Sequence, residues 1–370
     1  MNYKNILYVC RYAAPYSGNF IPSIAQLADK VVGNHDVYFL FPEESREKHW
    51  LRELPVSSDH ILFCSFHPID MYKFCRALSR KLGREQTIVH THFMGGPSLF
   101  SVNLCFRRIM NHYHMFVPPV KSWKDRLRRT IAMFNYRNNI VIAVSNTLTA
   151  PLQKYLPWST VVSIPNCVDF AHLTAGAAHS TRLDFLEDDA FNILIHGSHF
   201  YWKGVDYTAR VVEKMNEQGY RCRLYITSGD VGFTESQLHS VITHREYFQV
   251  IKGVEGAKNL YDNVDLMLSA SRFDALSYAI MEASYSECQV AATDIRGNNM
   301  LKDIPGIRWI ESENEADLEN AILEAMEAKR NGTVLAIKQL QREYVLTHYN
   351  VDIWVDQVIA LYQKHFGIMQ

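Results

Sequence analysis

Short apolar segments alternate with helical patterns along this chain, and the alternation runs through two consecutive series. Most strands predicted in the first series lack polar alternation; they cover residues 5–10, 36–41, 60–64, 87–90 and 140–145. Such strands are typical of a parallel sheet that is buried on both faces. Helices are predicted between them over residues 21–32 and 70–82.

A second series of the same kind begins after Pro165. Its predicted strands cover residues 191–196, 221–227, 248–252, 264–268, 290–293 and 307–310, and its helices 206–217, 276–284, 315–329, 334–343 and 350–366. Two such series predict an α/β fold of two Rossmann-like, doubly wound domains that face a central cleft, with C-terminal helices. We expect domains at 1–165 and 166–350, and a C-terminal helix at 351–370 that packs back on the first domain.

The composition narrows the classes of protein to which the chain can belong. It is 48% hydrophobic and 21% charged, and no apolar run approaches the ~18 residues that a membrane-spanning helix needs. The apolar stretch 6–10 is too short for the core of a signal peptide. Seven scattered cysteines without a C-x-x-C pair argue against disulfides and a cysteine zinc site. We therefore expect a cytoplasmic location.

Charge is divided unevenly between the two series. Residues 1–165 carry 20 Lys and Arg against 10 Asp and Glu, whereas the remainder carries 18 against 29. The basic half favours an anionic surface or ligand, unless the division is incidental. Within it, the helical period of segment 121–134 aligns an apolar stripe, flanked by basic residues, of Trp123, Leu127, Ile131 and Phe134. This stripe either packs on the first sheet or lies on an anionic membrane.

Two turns of the first series carry candidate binding groups. Gly18 precedes a predicted helix, whose free amides attract phosphate, although the G-x-G-x-x-G fingerprint is absent and an ordinary turn explains it equally. His90 and His92 form an H-x-H pair on one face of the fourth strand. No third ligand follows at an obvious spacing, so we predict no metal site. We expect His92 to reach the cleft; the alternative is a hydrogen-bonded structural histidine.

The second series carries the richer segments. Its first strand runs into a loop from Gly197 to Gly204, in which Lys203 stands beside a helix N-terminus and suits a phosphate. Asp274 ends a later loop, and Glu282 follows about two helical turns further on. Two such carboxylates can accept hydrogen bonds from separate hydroxyl groups of one ligand. The alternatives are a surface lysine, a capping aspartate and a solvated glutamate.

In this order the segments resemble the retaining GT-B glycosyltransferases of the large bacterial family four, or glycosyltransferase group 1. Asp274 and Glu282 fall on the family's E-x7-E motif, and Gly197 to Gly204 falls on its G-R-x-x-x-x-K-G-like loop. The remaining matches are the interdomain segment 164–169, the loop 293–298, Gly18 and His92. The sequence departs from the family at Asp274, where a Glu is usual, at Ser198, where an Arg is usual, and at Cys167, where a Gly is usual.

The resemblance implies retaining transfer of a sugar from a nucleotide-diphosphate sugar to a saccharide or polyprenyl-diphosphate-linked acceptor, in cell-surface polysaccharide synthesis. It implies no cofactor and no metal, which agrees with the absence of a D-x-D motif. Asp274 would hold sugar hydroxyls, Glu282 the ribose, and His92 the sugar or acceptor. Lys203 would bind the diphosphate, assisted by His199 or Arg272. The resemblance completes the donor site with Gly18, Gly197, Ser198, Ala275, Leu276 and Ser277.

Three other functions stay open. They are a non-catalytic sugar-nucleotide-binding or scaffold protein, a nucleotide-sugar epimerase of the same fold, and a nicotinamide dehydrogenase, which the missing glycine fingerprint disfavours. The expected partners are the donor, the acceptor and an anionic membrane surface at the inner face of the cell membrane, with no nucleic acid. The sequence does not identify the base of the donor, its sugar or the acceptor.

Overall fold

The chain forms two compact units in the computed structural model, which describes residues 3–114, 117–175, 183, 185–252, 257–333 and 335–367. The first unit comprises residues 1–167 and 351–370, and the second comprises residues 168–350. The boundary expected at 165 lies two residues before this division. The predicted helix start at 334 lies outside the described residues.

A seven-stranded parallel sheet forms the centre of the first unit, in the order β3-β2-β1-β4-β5-β6-β7. The strands are β1 (Asn5–Cys10), β2 (Asp36–Pro42), β3 (Ile61–Cys64), β4 (Thr87–His92), β5 (Arg108–Tyr113), β6 (Ile140–Ala143) and β7 (Thr160–Ser163). The helices that follow them in the chain are α1 (Phe20–Val32), α2 (Pro68–Leu82), α3 (Gly96–Cys105), α4 (Trp123–Asn135) and α5 (Asn146–Tyr155). The strand order reverses between β1 and β4, which makes this pair the switch point of the sheet.

The second unit repeats this design with a six-stranded parallel sheet, in the order β10-β9-β8-β11-β12-β13. After α6 (Phe170–Ala175), its strands are β8 (Phe191–His196), β9 (Cys222–Ser228), β10 (Phe248–Lys252), β11 (Leu266–Ser269), β12 (Gln289–Thr293) and β13 (Arg308–Ile310). Its other helices are α7 (Val205–Glu217), α8 (Val231–Leu238), α9 (Lys258–Asn263), α10 (Tyr278–Tyr285), α11 (Glu315–Asn331) and α12 (Leu335–His348). Here the switch point lies between β8 and β11.

The last helix, α13 (Val351–Phe366), belongs to the first unit and packs against α1. Its buried residues Trp354, Val358 and Tyr362 join the core that β1 and α1 form. Burial of each such side chain stabilises the unit by about 1.5–3 kcal/mol, so the C-terminal helix is part of the first core.

The structure contains two strands that the sequence did not predict, β5 and β7. β5 carries Arg108, Asn111 and His112 among its six residues, which hides it from a search for apolar runs. β7 has only four residues and lies at the edge of the sheet. All other strands begin and end within two residues of the predicted positions. No helix in the described ranges is long and apolar enough to cross a membrane.

Candidate functional site

Three loops of the second unit follow adjacent strands at the carboxyl edge of its sheet. They are residues 197–204 after β8, 270–277 after β11 and 294–298 after β12. Ligands of open α/β sheets bind at this edge, beside the switch point. The loops carry the second-unit residues that the sequence singled out, except Glu282, which lies on α10.

Close contacts explain the glycines of these loops, and for Gly204 and Gly297 the contact is with the backbone of a neighbouring loop. Gly204 has a φ of +71°, and a Cβ there would lie 2.0 Å from the carbonyl oxygen of Ala270. A Cβ on Gly297 would lie 2.0 Å from the carbonyl oxygen of Asp274. A Cβ on Gly197 would lie 2.4 Å from the Ile226 side chain. Any larger residue would push the loops apart.

Lys203 and Asp274 form an ion pair although 71 residues separate them in the chain. The Lys203 ammonium donates to Oδ2 of Asp274 at 2.8 Å, and their side chains are 30% and 16% exposed. The other carboxylate oxygen, Oδ1, accepts from the backbone amide of Ala275 at 2.8 Å. An ammonium has three donors, so Lys203 keeps donors for a second anionic partner.

α10 begins at Tyr278, and the three residues 275–277 connect Asp274 to it. Ala275 is half-buried, Leu276 and Ser277 are buried, and the side chain of Ser277 forms no capping hydrogen bond. First-turn amides have no acceptor within their own helix, and their partial positive charge attracts anions. This end of α10 therefore offers donors next to the Lys203–Asp274 pair.

Glu282 lies at the end of a chain of hydrogen bonds that the sequence did not reveal. The Tyr261 hydroxyl donates to Oε2 of Glu282 at 2.9 Å, and it lies 2.8 Å from Nε2 of His196. Nδ1 of His196 lies 2.7 Å from the hydroxyl of Thr227. Burial and the nearby Lys203 lower the pKa of His196 to about 4, so its ring is neutral near pH 7. The network connects Glu282 to the end of β8.

Arg272 forms hydrogen bonds and ion pairs with other residues of the second unit. Its guanidinium donates to both carboxylate oxygens of Asp206, at 2.7 and 2.9 Å, and to Glu313 at 2.7 Å, and it stacks over the ring of Tyr201. Protein partners hold four of its five N–H groups, one of them the Tyr201 carbonyl, which disfavours a phosphate contact; support of a phosphate by Arg272 stays a prediction. Ser198 and His199 are exposed at the start of the loop.

In the first unit, Gly18 and His92 lie in the two segments that flank the switch point. Gly18, which follows β1, has a φ of +54° and is exposed. His92 is the last residue of β4 and is only 1% exposed, and its Nδ1 lies 3.3 Å from Nε2 of His114. The ring of His92 is therefore enclosed by protein.

Three further histidines surround His92 because β5 pairs with β4 in register. His112 is the direct partner of His92, His90 precedes His92 by two residues, and His114 follows His112 by two residues. The rings of His92 and His112 stack with centroids 5.1 Å apart, and those of His112 and His114 with centroids 4.8 Å apart. The sequence repeats its H-x-H pattern at 112–114, which was the signal available for this cluster.

Burial keeps these imidazoles neutral. It lowers the pKa of His90 and of His114 to about 3, and neighbouring rings add to the effect at His90. Burial and the neighbouring histidines hold the pKa values of His92 and His112 well below their usual range. The cluster thus presents lone pairs at neutral pH.

The apolar stripe of α4 faces outward. Trp123, Leu127, Ile131 and Phe134 are 70%, 52%, 48% and 55% exposed, and only Asn135 of this helix is buried. The interpretation in which the stripe packs on the first sheet is therefore wrong. A capping box between Ser122 and Asp125 begins the helix.

Comparison with known proteins finds a family match within the second unit. Residues 190–328 match the family model described as glycosyl transferases group 1. This segment contains the three loops, α10 and the network around Glu282. No curated protein sequence matches the chain.

Solved structures share the fold of both units. A sucrose-phosphate synthase from Thermosynechococcus elongatus is similar with a TM-score of 0.75 and 14% identity, over 98% of this chain and 99% of that one. The Anabaena protein HepE in complex with UDP has a TM-score of 0.74 and 13% identity, over 97% and 100%. A glycosyltransferase from Rickettsia africae has a TM-score of 0.72 and 17% identity, over 98% and 99%. The chain therefore has the GT-B fold that the sequence predicted.

Proposed function

We propose that this chain, whose second unit belongs to the group 1 glycosyl transferases, moves a sugar from a nucleotide-diphosphate sugar to a saccharide or lipid-linked saccharide with retention of configuration. The observation that carries the proposal is the Lys203–Asp274 pair at the carboxyl edge of the second sheet. It places an ammonium, which suits a phosphate, 2.8 Å from a carboxylate, which suits sugar hydroxyls. A sugar diphosphate presents both complementary groups in the same order.

The diphosphate would bind between Lys203 and the N-terminus of α10. Lys203 can donate to a phosphate oxygen while it keeps its bond to Asp274, because an ammonium has three donors. As the bond from the sugar to the diphosphate breaks, negative charge grows on the leaving group. Positioned donors at that place stabilise the transition state more than the ground state. These groups replace the charge that a divalent cation would supply, so we propose transfer that needs no Mg²⁺ or Mn²⁺.

The nucleoside would be held by Glu282. A carboxylate of this kind accepts hydrogen bonds from adjacent ribose hydroxyls, and the bond from Tyr261 keeps it in place beforehand. Asp274 would hold sugar hydroxyls with the lone pairs that its bonds to Lys203 and to the Ala275 amide leave unused. Because Asp274 is one methylene shorter than the usual Glu, its reach toward the sugar differs from the family pattern. The role of His92 at the sugar or acceptor stays a prediction.

The first unit would bring the acceptor from an anionic bilayer at the inner face of the cell membrane. Lys121, Lys124, Arg126 and Arg128 are exposed on or next to α4, beside its apolar stripe. A basic amphipathic helix of this kind lies in the headgroup layer, where its apolar side chains leave water. Arg129 is not included in this membrane contact, because its guanidinium donates to the backbone carbonyls of Lys154 and Tyr155.

A non-catalytic sugar-nucleotide-binding protein is the second candidate, favoured by the exposed Ser198 where the phosphate-binding Arg is usual. Thermal-shift titration with UDP-, GDP- and ADP-sugars tests the binding that both candidates share. We expect one class of nucleotide sugar to raise the melting temperature of the full chain. If no nucleotide sugar or free nucleotide does so at millimolar concentration, both candidates are wrong.

A further inference from the structure

Buried imidazole nitrogens lie close together inside the first unit. Nε2 of His90, Nε2 of His92 and both ring nitrogens of His112 are buried and have no hydrogen-bond partner in the described chain. One nitrogen from each of these three rings lies within 4.8 Å of the other two. A buried polar atom without a partner costs about 1–3 kcal/mol, so three at one place call for a bound species.

Neighbouring groups determine which ring nitrogen of His90 and of His92 is available to a ligand. Nδ1 of His90 lies 2.7 Å from the hydroxyl of Tyr362, which leaves Nε2 free. Nδ1 of His92 lies 3.3 Å from Nε2 of His114, which again leaves Nε2 free. Histidines that bind metals are oriented in this way, through a hydrogen bond at the other ring nitrogen.

We propose that His90, His92 and His112 bind a transition-metal ion of the Zn²⁺ class. Three neutral imidazoles suit zinc and its neighbours in the first transition row, whereas Mg²⁺ and Ca²⁺ prefer oxygen ligands. Tyr362 and His114 act as positioning residues for the ligands. The proposal does not rest on the glycosyltransferase function, and it gives His92 a role as a ligand in place of a contact with sugar or acceptor.

The geometry requires the nitrogens to move closer together and the rings to turn on binding, because the ring of His112 stacks on those of His90 and His92. Nitrogens that bind zinc at about 2.0–2.1 Å in tetrahedral directions lie roughly 3.3 Å apart, closer than the present limit of 4.8 Å. His112 would make this adjustment by turning within its stack of rings, since neither of its ring nitrogens has a hydrogen-bond partner in the described chain. The sequence could not predict the site, because its third ligand comes from β5, the polar strand that the apolar pattern did not reveal.

The test is metal binding by the full chain, produced without a polyhistidine tag. After removal of metals with 1,10-phenanthroline, Co²⁺ is added, and we expect visible absorption bands of a nitrogen-ligated site that saturate at one equivalent. At 100 times the dissociation constant, Co²⁺ or Zn²⁺ raises the melting temperature by roughly 5–10 °C. His112→Gln abolishes the bands and the shift, and His114→Gln weakens them.

The matched control is His67→Gln, because His67 is exposed at the start of α2 outside the cluster. It should bind Co²⁺ as the unaltered chain does. If the folded, unaltered chain shows no Co²⁺ bands and no thermal shift, the proposal is wrong whatever its transfer activity. Equal Co²⁺ binding by the unaltered chain and His112→Gln would also overturn it.

Discussion

At the scale of single residues, substitution of Glu282 is expected to affect both donor binding and stability, because its carboxylate also accepts a hydrogen bond from Tyr261. Glu282→Ala removes a charged acceptor from the proposed ribose site, which costs about 1.5–3 kcal/mol, or roughly 10- to 150-fold in donor affinity. It also leaves the Tyr261 hydroxyl without its acceptor, so some stability is lost. Isothermal titration with the donor measures the first effect and thermal unfolding measures the second.

Glu282→Gln is the control for that measurement. Its amide oxygen still accepts from Tyr261, so we expect a melting temperature close to that of the unaltered chain. The charge is lost, so donor affinity should still fall. Donor binding by both variants with unchanged affinity would show that Glu282 does not contact the ribose.

A second test at this scale changes the length of the side chain that carries the carboxylate at residue 274. Asp274→Glu restores the family's longer side chain while it keeps the charge that pairs with Lys203. We expect a changed donor preference or transfer rate and an unchanged far-ultraviolet circular dichroism spectrum. The same kinetic constants for every donor in a panel would mean that residue 274 does not contact the sugar.

At the scale of elements, α4 predicts binding to anionic vesicles. Exchange of Lys124, Arg126 and Arg128 for Gln removes three charges beside the apolar stripe. At about 1 kcal/mol for each basic residue near an anionic surface, the partition coefficient should fall roughly 100-fold. Co-sedimentation with phosphatidylserine vesicles measures it, and binding by the unaltered chain should weaken in high salt.

The control for this experiment is a set of three exposed basic residues on α2. Exchange of Lys73, Arg76 and Arg80 for Gln removes the same total charge from another surface of the first unit. It should lower vesicle binding much less. If both triple variants bind alike, or if neutral and anionic vesicles bind the unaltered chain equally, α4 is not the membrane contact.

Elements that are buried through apolar side chains could be predicted, and those buried through polar ones could not. β1 and β8 were predicted with their observed ends because nearly every side chain in them is apolar. β5 was missed because its buried polar residue Asn111 finds a partner on the adjacent strand, where the Thr91 hydroxyl donates to the amide oxygen of Asn111 at 2.6 Å. A hydrogen bond to another part of the chain leaves no local pattern in the sequence.

The same distinction applies to the site. The glycines of the second-unit loops could be recognised because each stands where a side chain would clash, with the backbone at Gly204 and Gly297 and with the Ile226 side chain at Gly197. The contact between Tyr261 and His196 spans 65 residues, and nothing in the local sequence of either predicts it. The pairing of Arg272 with Asp206 spans 66 residues and is hidden in the same way, so the sequence alone does not show that this arginine has a carboxylate partner.

At the scale of the whole molecule, the proposed roles are divided between the two doubly wound units. The acidic second unit contains the family segment and the proposed donor groups. The basic first unit contains α4 and the histidine cluster, and α13 completes its core. The fold class could be predicted because two αβ series in one chain permit few other arrangements.

Transfer of a radiolabelled sugar, with excess EDTA in the assay, tests the central claim most directly. With the nucleotide sugar that raises the melting temperature most and a saccharide acceptor panel, we predict labelled product from the unaltered chain and a loss of at least roughly 100-fold for Lys203→Ala, as for removal of a positioned charge-stabilising donor. Binding of the donor without transfer to any acceptor and without its hydrolysis would contradict the claim of catalysis. A requirement for Mg²⁺ or Mn²⁺ that either ion restores would contradict the proposed role of Lys203 and the α10 amides.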